Sequence, residues 1–414
     1  MGTDNYYEKD SIEAKEQSAW FGKGAASLGL DGNVDSEKFN ALLDGQLPTG
    51  QVLGVMKNGV RKHRPGFDLT FSVPKSVSIV SLMGNDQRIF QAIHQSVDKV
   101  LAVIEAEAAQ ARTTKNGETV YEDTGNIVAA KFLHDLSREC DPQLHIHTVV
   151  MNMTQRQDGN WRALASQMGK YGQDTKGEVN GFIERVRHQK KYYGLLFNAE
   201  LAFALKELGY ELDINKKTGQ FEIAGISEAS IRTFSQRREQ IENVMQEKGF
   251  TSAKAAAVVT LETRKNKEAI DRHQLRETWK ARANDRQVDT FQEAHDAVNK
   301  SLHPQSLSEK TQTVDVYDAH LLEQVLTDFG RDMPVFTENQ LMNTLLSTHL
   351  DKFVSLEAAR AHITQLVQEK QLFVRDTEKG DSVYVTKERI DAEKSLALNV
   401  TKRVKLYPQD DKIN

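Results

Sequence analysis

Residues 126–155, NIVAAKFLHDLSRECDPQLHIHTVVMNMTQ, constrain the fold of this chain more tightly than any other stretch. Segments 127–134 and 144–152 have the apolar and β-branched content of buried strands, and the polar connection between them closes at Asp141-Pro142. They read as neighbouring strands of one sheet. Side chains alternate along a strand, so His145, His147 and Val149 fall on one face and Leu144, Ile146, Thr148 and Val150 on the other. Two imidazoles then point the same way, and His134, ending the first strand, can meet them across the pair. Three nitrogen ligands on a rigid sheet, with coordination positions left open, form the donor set of a catalytic metal. A solvated or hydrogen-bonded His-x-His pair fits the same spacing, and spacing alone leaves both readings standing.

At 414 residues the chain is long for one domain, and two are expected. Neither a membrane-length apolar run nor the basic and apolar regions of a signal peptide is visible, so a cytosolic location is expected. The single cysteine, Cys140, excludes an internal disulfide framework and a Cys-rich zinc knuckle. A net charge of −5 argues against a generic basic coat for nucleic acid, yet basic residues cluster at 57–64, 185–191, 232–238 and 264–267. Such runs are ordinarily solvated faces. Arranged around a metal site they would be a phosphate track, with Arg64, Lys75, Arg138, Arg185, Arg187, Lys190 and Arg237 as the candidate contacts.

Along the chain, residues 8–18 suit a short helix and Trp20-Phe21-Gly22 a turn after it; 34–43 reads as a second helix. Residues 69–73 are a strand candidate, followed by a helix beginning at Pro74 and capped from Ser72. Asp68, at the start of that strand, either satisfies backbone donors or orients a metal-bound histidine. Residues 88–111 have the apolar spacing of a long amphipathic helix, and Lys115-Asn116-Gly117-Glu118 marks a hairpin. Residues 190–208 form a helix in which Tyr192 and Tyr193 are packing residues, and 210–214 pairs with 221–223. The stretch 227–299 reads as helical. A first domain is therefore placed at 1–300, a loose linker at 301–333, and a small domain at 334–414 in which two helices and a two-stranded wing give a winged-helix outline. Neither a P-loop nor a Gly-x-Ser-x-Gly elbow is present.

Three motifs together resemble conjugative relaxases of the MobF (TrwC/TraI-like) class: Phe132-Leu133-His134 with Ser137-Arg138; residues 141–150; and Phe67-Asp68-Leu69-Thr70-Phe71-Ser72-Val73-Pro74-Lys75. With residues 20–25 the resemblance extends over about the first 300 residues. It implies an α+β fold: an antiparallel palm-like sheet flanked by helices, of the relaxase or HUH-endonuclease type, with C-terminal helices closing over single-stranded DNA. It further implies that His134, His145 and His147 hold a divalent metal, Mg2+ or Mn2+ in cells, with Asp68 as the supporting carboxylate. The implied partners are single-stranded or hairpin oriT DNA, relaxosome accessory proteins and a type IV secretion coupling protein. The implied setting is the bacterial cytoplasm, with transfer to a recipient cell. The tail resembles the segment preceding the helicase motor of such proteins, and the motor is missing. Members of the family begin with a strand and two tyrosine pairs. Residues 5–10 resemble the second pair, so the chain is expected to be truncated at both ends, with Tyr6 the attacking residue and Tyr7 its neighbour.

A tyrosine ester keeps the energy of the phosphodiester for rejoining, as water attack would not. An unperturbed phenol is only about one-thousandth ionised at pH 7, so a cation or a proton acceptor beside it is required. Two other classes fit parts of the sequence: a DNA-binding regulator built on the tail, and a metal-dependent hydrolase that forms no protein adduct.

Overall fold

The computed structural model describes residues 18–166, 180–252 apart from 216, 272–303, 335–348, 356–376 and 382–406, with 255, 258–259, 325–327, 333 and 350 between them. The chain falls into two compact units, residues 1–215 with 220–306, and residues 216–219 with 307–414.

In chain order the first unit has β1 (Ser18–Phe21), the hairpin β2 (Val55–Lys57) and β3 (Val60–Lys62), β4 (Gly66–Ser72), the hairpin β5 (Gln110–Lys115) and β6 (Glu118–Asp123), β7 (Ala129–Leu136) and β8 (Pro142–Met151). The short pairs β9 (Thr154–Gln155) with β10 (Trp161–Arg162), and β11 (Leu212–Asn215) with β12 (Gln220–Ile223), follow. Four strands make the central sheet in the order β1-β7-β8-β4, antiparallel throughout. The α+β class and the antiparallel sheet are those expected.

Register sorts this sheet into two unlike faces. Pairing of His134 with His145, Phe132 with His147 and Ala130 with Val149 places all six side chains on one face, together with Asp68, Thr70 and Ser72 of β4. The other face carries Phe67, Phe71, Leu133, Leu144 and Ile146, all buried. Helices Lys75–Met83, Arg88–Ala108 and Lys190–Glu207 supply its partners: Val77, Ile79, Ile93, Val97, Leu101 and Leu196 are fully buried. Phe71 meets Phe197 at 5.5 Å and Phe67 meets Phe182 at 5.5 Å, ring to ring.

Part of the histidine-bearing face is covered by a core of its own. Helix Ser36–Leu43, capped by the Asp35 side chain on the Lys38 amide, packs Phe39 edge-on against Phe132 at 5.2 Å; Trp20, Leu42, Leu47, Leu53, Val149 and Trp161 belong to that core. One alternation step beyond Phe132 on the same face stands His134, itself buried at 4 % exposed.

Three local expectations are corrected. Trp20-Phe21 belongs to a strand, not a turn, because backbone pairing with Ala129 and Ala130 outweighs the glycine signal. The turn follows at Gly22, whose φ of 109° excludes a side chain and where a Cβ would lie 2.2 Å from the Ile127 carbonyl oxygen. The helix after β4 starts from Pro74, with Ser72 still in the strand; the first-turn amide of buried Ser76, which has no partner within the helix, donates to the Glu222 carboxylate of β12 at 2.8 Å. The long helix stops at Ala108, three residues early, because Gln110 and Ala111 enter β5.

In the second unit, helices Glu338–Thr348 and Leu356–Gln368 precede the hairpin β13 (Leu372–Asp376) and β14 (Ser382–Thr386), and a further helix, Lys387–Leu406, follows. Phe336 bridges to Tyr384 through two backbone hydrogen bonds, and Leu341, Leu345, Ala359, Ile363, Leu366 and Leu372 are buried. Among the described residues no helix is long and apolar enough to cross a membrane.

Candidate metal centre

β7 and β8 present the three imidazoles as the alternation demands: His134 stands directly opposite His145, and His147 lies two residues on along the same face. Ring centroids are 4.9 to 5.4 Å apart, and one nitrogen from each ring can be chosen so that all lie within 4.8 Å of one another. A register shift between His134 and Leu136 bends β7 immediately after the ligand strand, as bulges beside sites commonly do.

Two ring orientations are set by neighbours that can only accept or that accept strongly. His145 Nδ1 lies 2.8 Å from the Gln143 carbonyl oxygen, so Nδ1 must carry the proton and Nε2 is the coordinating atom. His147 Nδ1 lies 2.9 and 3.1 Å from the two Asp68 carboxylate oxygens and 3.2 Å from Thr70 Oγ1, which makes Nε2 its coordinating atom as well. A carboxylate behind an imidazole is the arrangement that fixes the tautomer and raises the basicity of a metal ligand. Three neutral nitrogens, two with their protons directed outward, fit a divalent ion that keeps open positions for substrate.

The polar turn between β7 and β8 is clamped from outside the sheet. Asp141, 1 % exposed, accepts from the Gln236 backbone and side-chain nitrogens at 2.9 and 2.8 Å and from Arg282 Nη1 at 2.6 Å. Trp279 Nε1 donates to the Cys140 carbonyl at 2.8 Å. Helices Gln236–Glu247 and Arg272–Asp285 thus grip the turn that sets where β8 begins, four residues before its first histidine. Burial pushes the Asp141 carboxyl up from its ordinary range, while Gln236, Lys75 and Arg282 oppose that. The Lys75 ammonium, buried beside it and donating to the Pro142 carbonyl at 2.8 Å, is held down to about 8 by burial, against the charges of Asp141 and Glu222.

The remaining site candidates are dispersed. Lys75 and Arg237 line a groove that also includes Ser72 and Gln143, the residues that pair with His145 and accept from its ring. Arg138 lies in the clamped turn. Arg64 is exposed, its guanidinium 5.5 Å from the Phe67 ring. Arg185 bonds Asp123 at 2.7 Å and the Glu107 carbonyl at 3.0 Å; with Arg187 it sits on helix Phe182–His188, whose Phe182 packs on the face opposite the histidines. Lys190 is exposed at the start of the next helix. Tyr6 and Tyr7 lie outside the described residues. Tyr192 and Tyr193 are 1 % and 4 % exposed, and burial together with the Glu107 charge pushes the Tyr193 phenol well up, so neither is poised for attack.

Sequence reading missed Thr70, Gln143, Gln236, Trp279 and Arg282. Thr70 was reachable: it is one alternation step from Asp68 on the same strand. The others act through backbone carbonyls or from sequence distances of 95 to 141 residues, which leave no local signal.

A family model described as TrwC relaxase matches residues 1–286. The multifunctional conjugation protein TraI of Escherichia coli is 34 % identical over 378 residues, 91 % of this chain and 20 % of that protein. The same protein of strain K12 matches equally, so the chain spans about a fifth of the length of these curated relatives, the 20 % just given. Among solved structures, a metal-bound conjugative relaxase TrwC in complex with oriT DNA superposes with a TM-score of 0.59 at 37 % identity, covering 69 % of this chain and 94 % of that one. A metal-free complex gives 0.58 at 38 % identity over the same shares. TrwC complexed with a 27-mer DNA comprising the recognition hairpin and the cleavage site gives 0.57 at 39 % identity, over 66 % and 93 %.

Proposed function

This chain belongs to the TrwC relaxase family, and on that premise we propose that it cuts and rejoins one strand of a plasmid origin of transfer through a 5′-phosphotyrosine intermediate, for conjugative DNA transfer. The observation that carries the reading is the cluster of His134, His145 and His147 within 4.8 Å, with the rings of His145 and His147 oriented through Nδ1 by Gln143 and Asp68.

A divalent ion held by the three imidazoles, Mg2+ or Mn2+ in cells, would polarise the scissile phosphodiester as a Lewis acid. The chain's own residues supply the rest. Tyr6, the first of the tyrosine pair, is assigned as the nucleophile, with Tyr7 beside it. Its phenolic oxygen forms the new P–O bond while the bond to the 3′ oxygen breaks, and the phenol proton ends on the released 3′-hydroxyl. Reversal by a 3′-hydroxyl restores the strand, because no water has consumed the ester. Asp68 positions His147 by accepting a hydrogen bond from its Nδ1. Lys75, Arg138 and Arg237, beside the groove and the clamped turn, are assigned to the DNA backbone. The hairpin β2–β3, exposed at all six strand positions and carrying Lys57, Arg61 and Lys62, suits a groove of the duplex part of a hairpin substrate. The second unit, with two helices before a hairpin, is assigned as a small winged-helix-like segment.

The test is to incubate the protein with a scissile single-stranded origin oligonucleotide and Mn2+ and to separate products on a denaturing gel. A protein–DNA adduct that disappears in Tyr6→Phe is expected. Free 5′-phosphate without an adduct would replace the reading with a hydrolase, and an adduct mapping to Tyr192 or Tyr193 would displace the site.

A further inference from the structure

Beyond the end of β8, on the hairpin that follows it, lies a second polar site that the histidine chemistry does not use. A pocket of about 410 Å³ is lined by Arg112, Thr113 and Thr114 of β5 and by Arg156 and Arg162 from the β9–β10 hairpin. Its chemistry is narrow. Every lining residue is an arginine or a threonine, so the pocket offers guanidinium and hydroxyl donors and no aromatic ring on which a base can stack.

The charges select the ligand further. Arg156 is fixed by Glu122 at 2.7 Å through Nε and by Asp158 at 2.6 Å through Nη1, leaving it oriented and its charge answered. The Arg112 and Arg162 guanidiniums make no hydrogen bond or ion pair within 4.0 Å among the described residues; Arg162 acts on Asp158 only at longer range. Three guanidiniums, Arg112, Arg156 and Arg162, face two carboxylates, Glu122 and Asp158, which leaves one net positive charge. One charge matches one phosphodiester. A nucleoside triphosphate would leave most of its charge unanswered.

Position makes the site remote from cleavage and continuous with the exposed basic hairpin. Six residues of strand separate His145 from Met151, about 20 Å at 3.3 Å per residue, and the pocket lies further along. Gln51 Nε2 donates to the Trp161 carbonyl at 3.0 Å, tying the arginine-bearing β10 to the segment that leads into β2–β3.

We propose that Arg112, Thr113, Thr114, Arg156 and Arg162 form a clamp for a single phosphodiester of the DNA, remote from the scissile bond, which contributes affinity and register and takes no part in the chemical step. This rests on the relaxase reading and adds a contact to it. Phosphate contacts position a nucleic acid without reading its bases, so the clamp acts on DNA of any sequence.

The test compares the full chain with Arg112→Ala/Arg162→Ala, two residues whose guanidiniums make no hydrogen bond or close ion pair among the described residues, and with Arg112→Lys/Arg162→Lys. Binding is followed by anisotropy across a salt series with two probes: a hairpin-bearing oligonucleotide long enough to span both sites, and a short single strand that fills the histidine groove alone. The alanine pair is expected to bind the long probe about three- to tenfold more weakly and to lower its salt slope by roughly 0.7 to 0.9, the loss of one neutralised phosphate. The lysine pair should regain most of that slope, and binding of the short probe should be unchanged in both. Unchanged affinity and slope on the long probe would overturn the clamp alone. So would an equal loss on the short probe, because the site would then not be remote. A parent that binds neither probe would remove the relaxase reading and the clamp together.

Discussion

The two faces of the central sheet are made by the same strands, offset by one residue, and they treat polar groups in opposite ways. On the helix-covered face a deeply buried cation, Lys131 at 2 % exposed, is consumed by an ion pair with Asp98 and lies over the Phe21 ring. Opposite it, Asp68, Thr70 and Gln143 bond His145 and His147 through Nδ1, which fixes the orientation of each ring. The first face spends its polar groups on stability; the second keeps part of their capacity for a ligand. A one-residue slip of β8 would exchange the two roles, because every side chain would change sides.

Substitutions on adjacent residues of β8 should separate these roles. His145→Ala is expected to abolish measurable binding of Mn2+ in calorimetry while leaving the unfolding midpoint close to that of the parent without metal. If metal still bound as tightly, the histidine face would not be the site. Ile146→Ala, on the neighbouring residue that is fully buried, should do the reverse, costing about 2 to 5 kcal/mol of stability with the metal affinity of the folded protein retained.

A pH titration sharpens the contrast from the covered side. His94, on helix Arg88–Ala108, is held down to about 4 from its ordinary 6.5 by burial and by the Lys131 charge. The unfolded chain takes up that proton first as pH falls, so the stability is complete above about pH 6.5 and is lost progressively down to about pH 4. The loss is on the order of 3 to 4 kcal/mol. His94→Gln should flatten that part of the stability–pH curve, and an unaltered curve would mean that His94 is not the group responsible.

The smallest effect is expected behind the metal. Asp68→Asn keeps an oxygen that accepts from His147 Nδ1 but removes the charge that strengthens its other nitrogen, so metal affinity should fall about tenfold, the low end for such supporting groups. Asp68→Ala should lie toward a hundredfold. Equal affinity in all three proteins would reduce Asp68 to a bystander of the exposed strand edge.

Much of this contrast is legible in residues 144–151. Period-two alternation alone places the two histidines of β8 together, and the same rule carried to β4 adds Thr70 to Asp68. The misreading at Trp20-Phe21 has the opposite lesson, since four residues beside a glycine carry too little pattern to declare a strand whose evidence is its pairing with Ala129 to Phe132.

By itself, then, the sequence determined which side chains of β8 share a face and where the long helices run, because strand and helix periods are local properties of the backbone, whereas the meeting of His134 with His145 and His147 is set by the pairing register of two strands. Only the tertiary structure decided that Phe39 seals the Phe132 end of the histidine face. It alone joined Asp141 to Gln236 and Arg282, and gathered Arg112, Arg156 and Arg162 into one pocket. Those arrangements depend on which distant segments pack together, and a hydrogen bond between residues more than ninety positions apart, such as Gln236 to Asp141, leaves no periodicity in the chain that makes it.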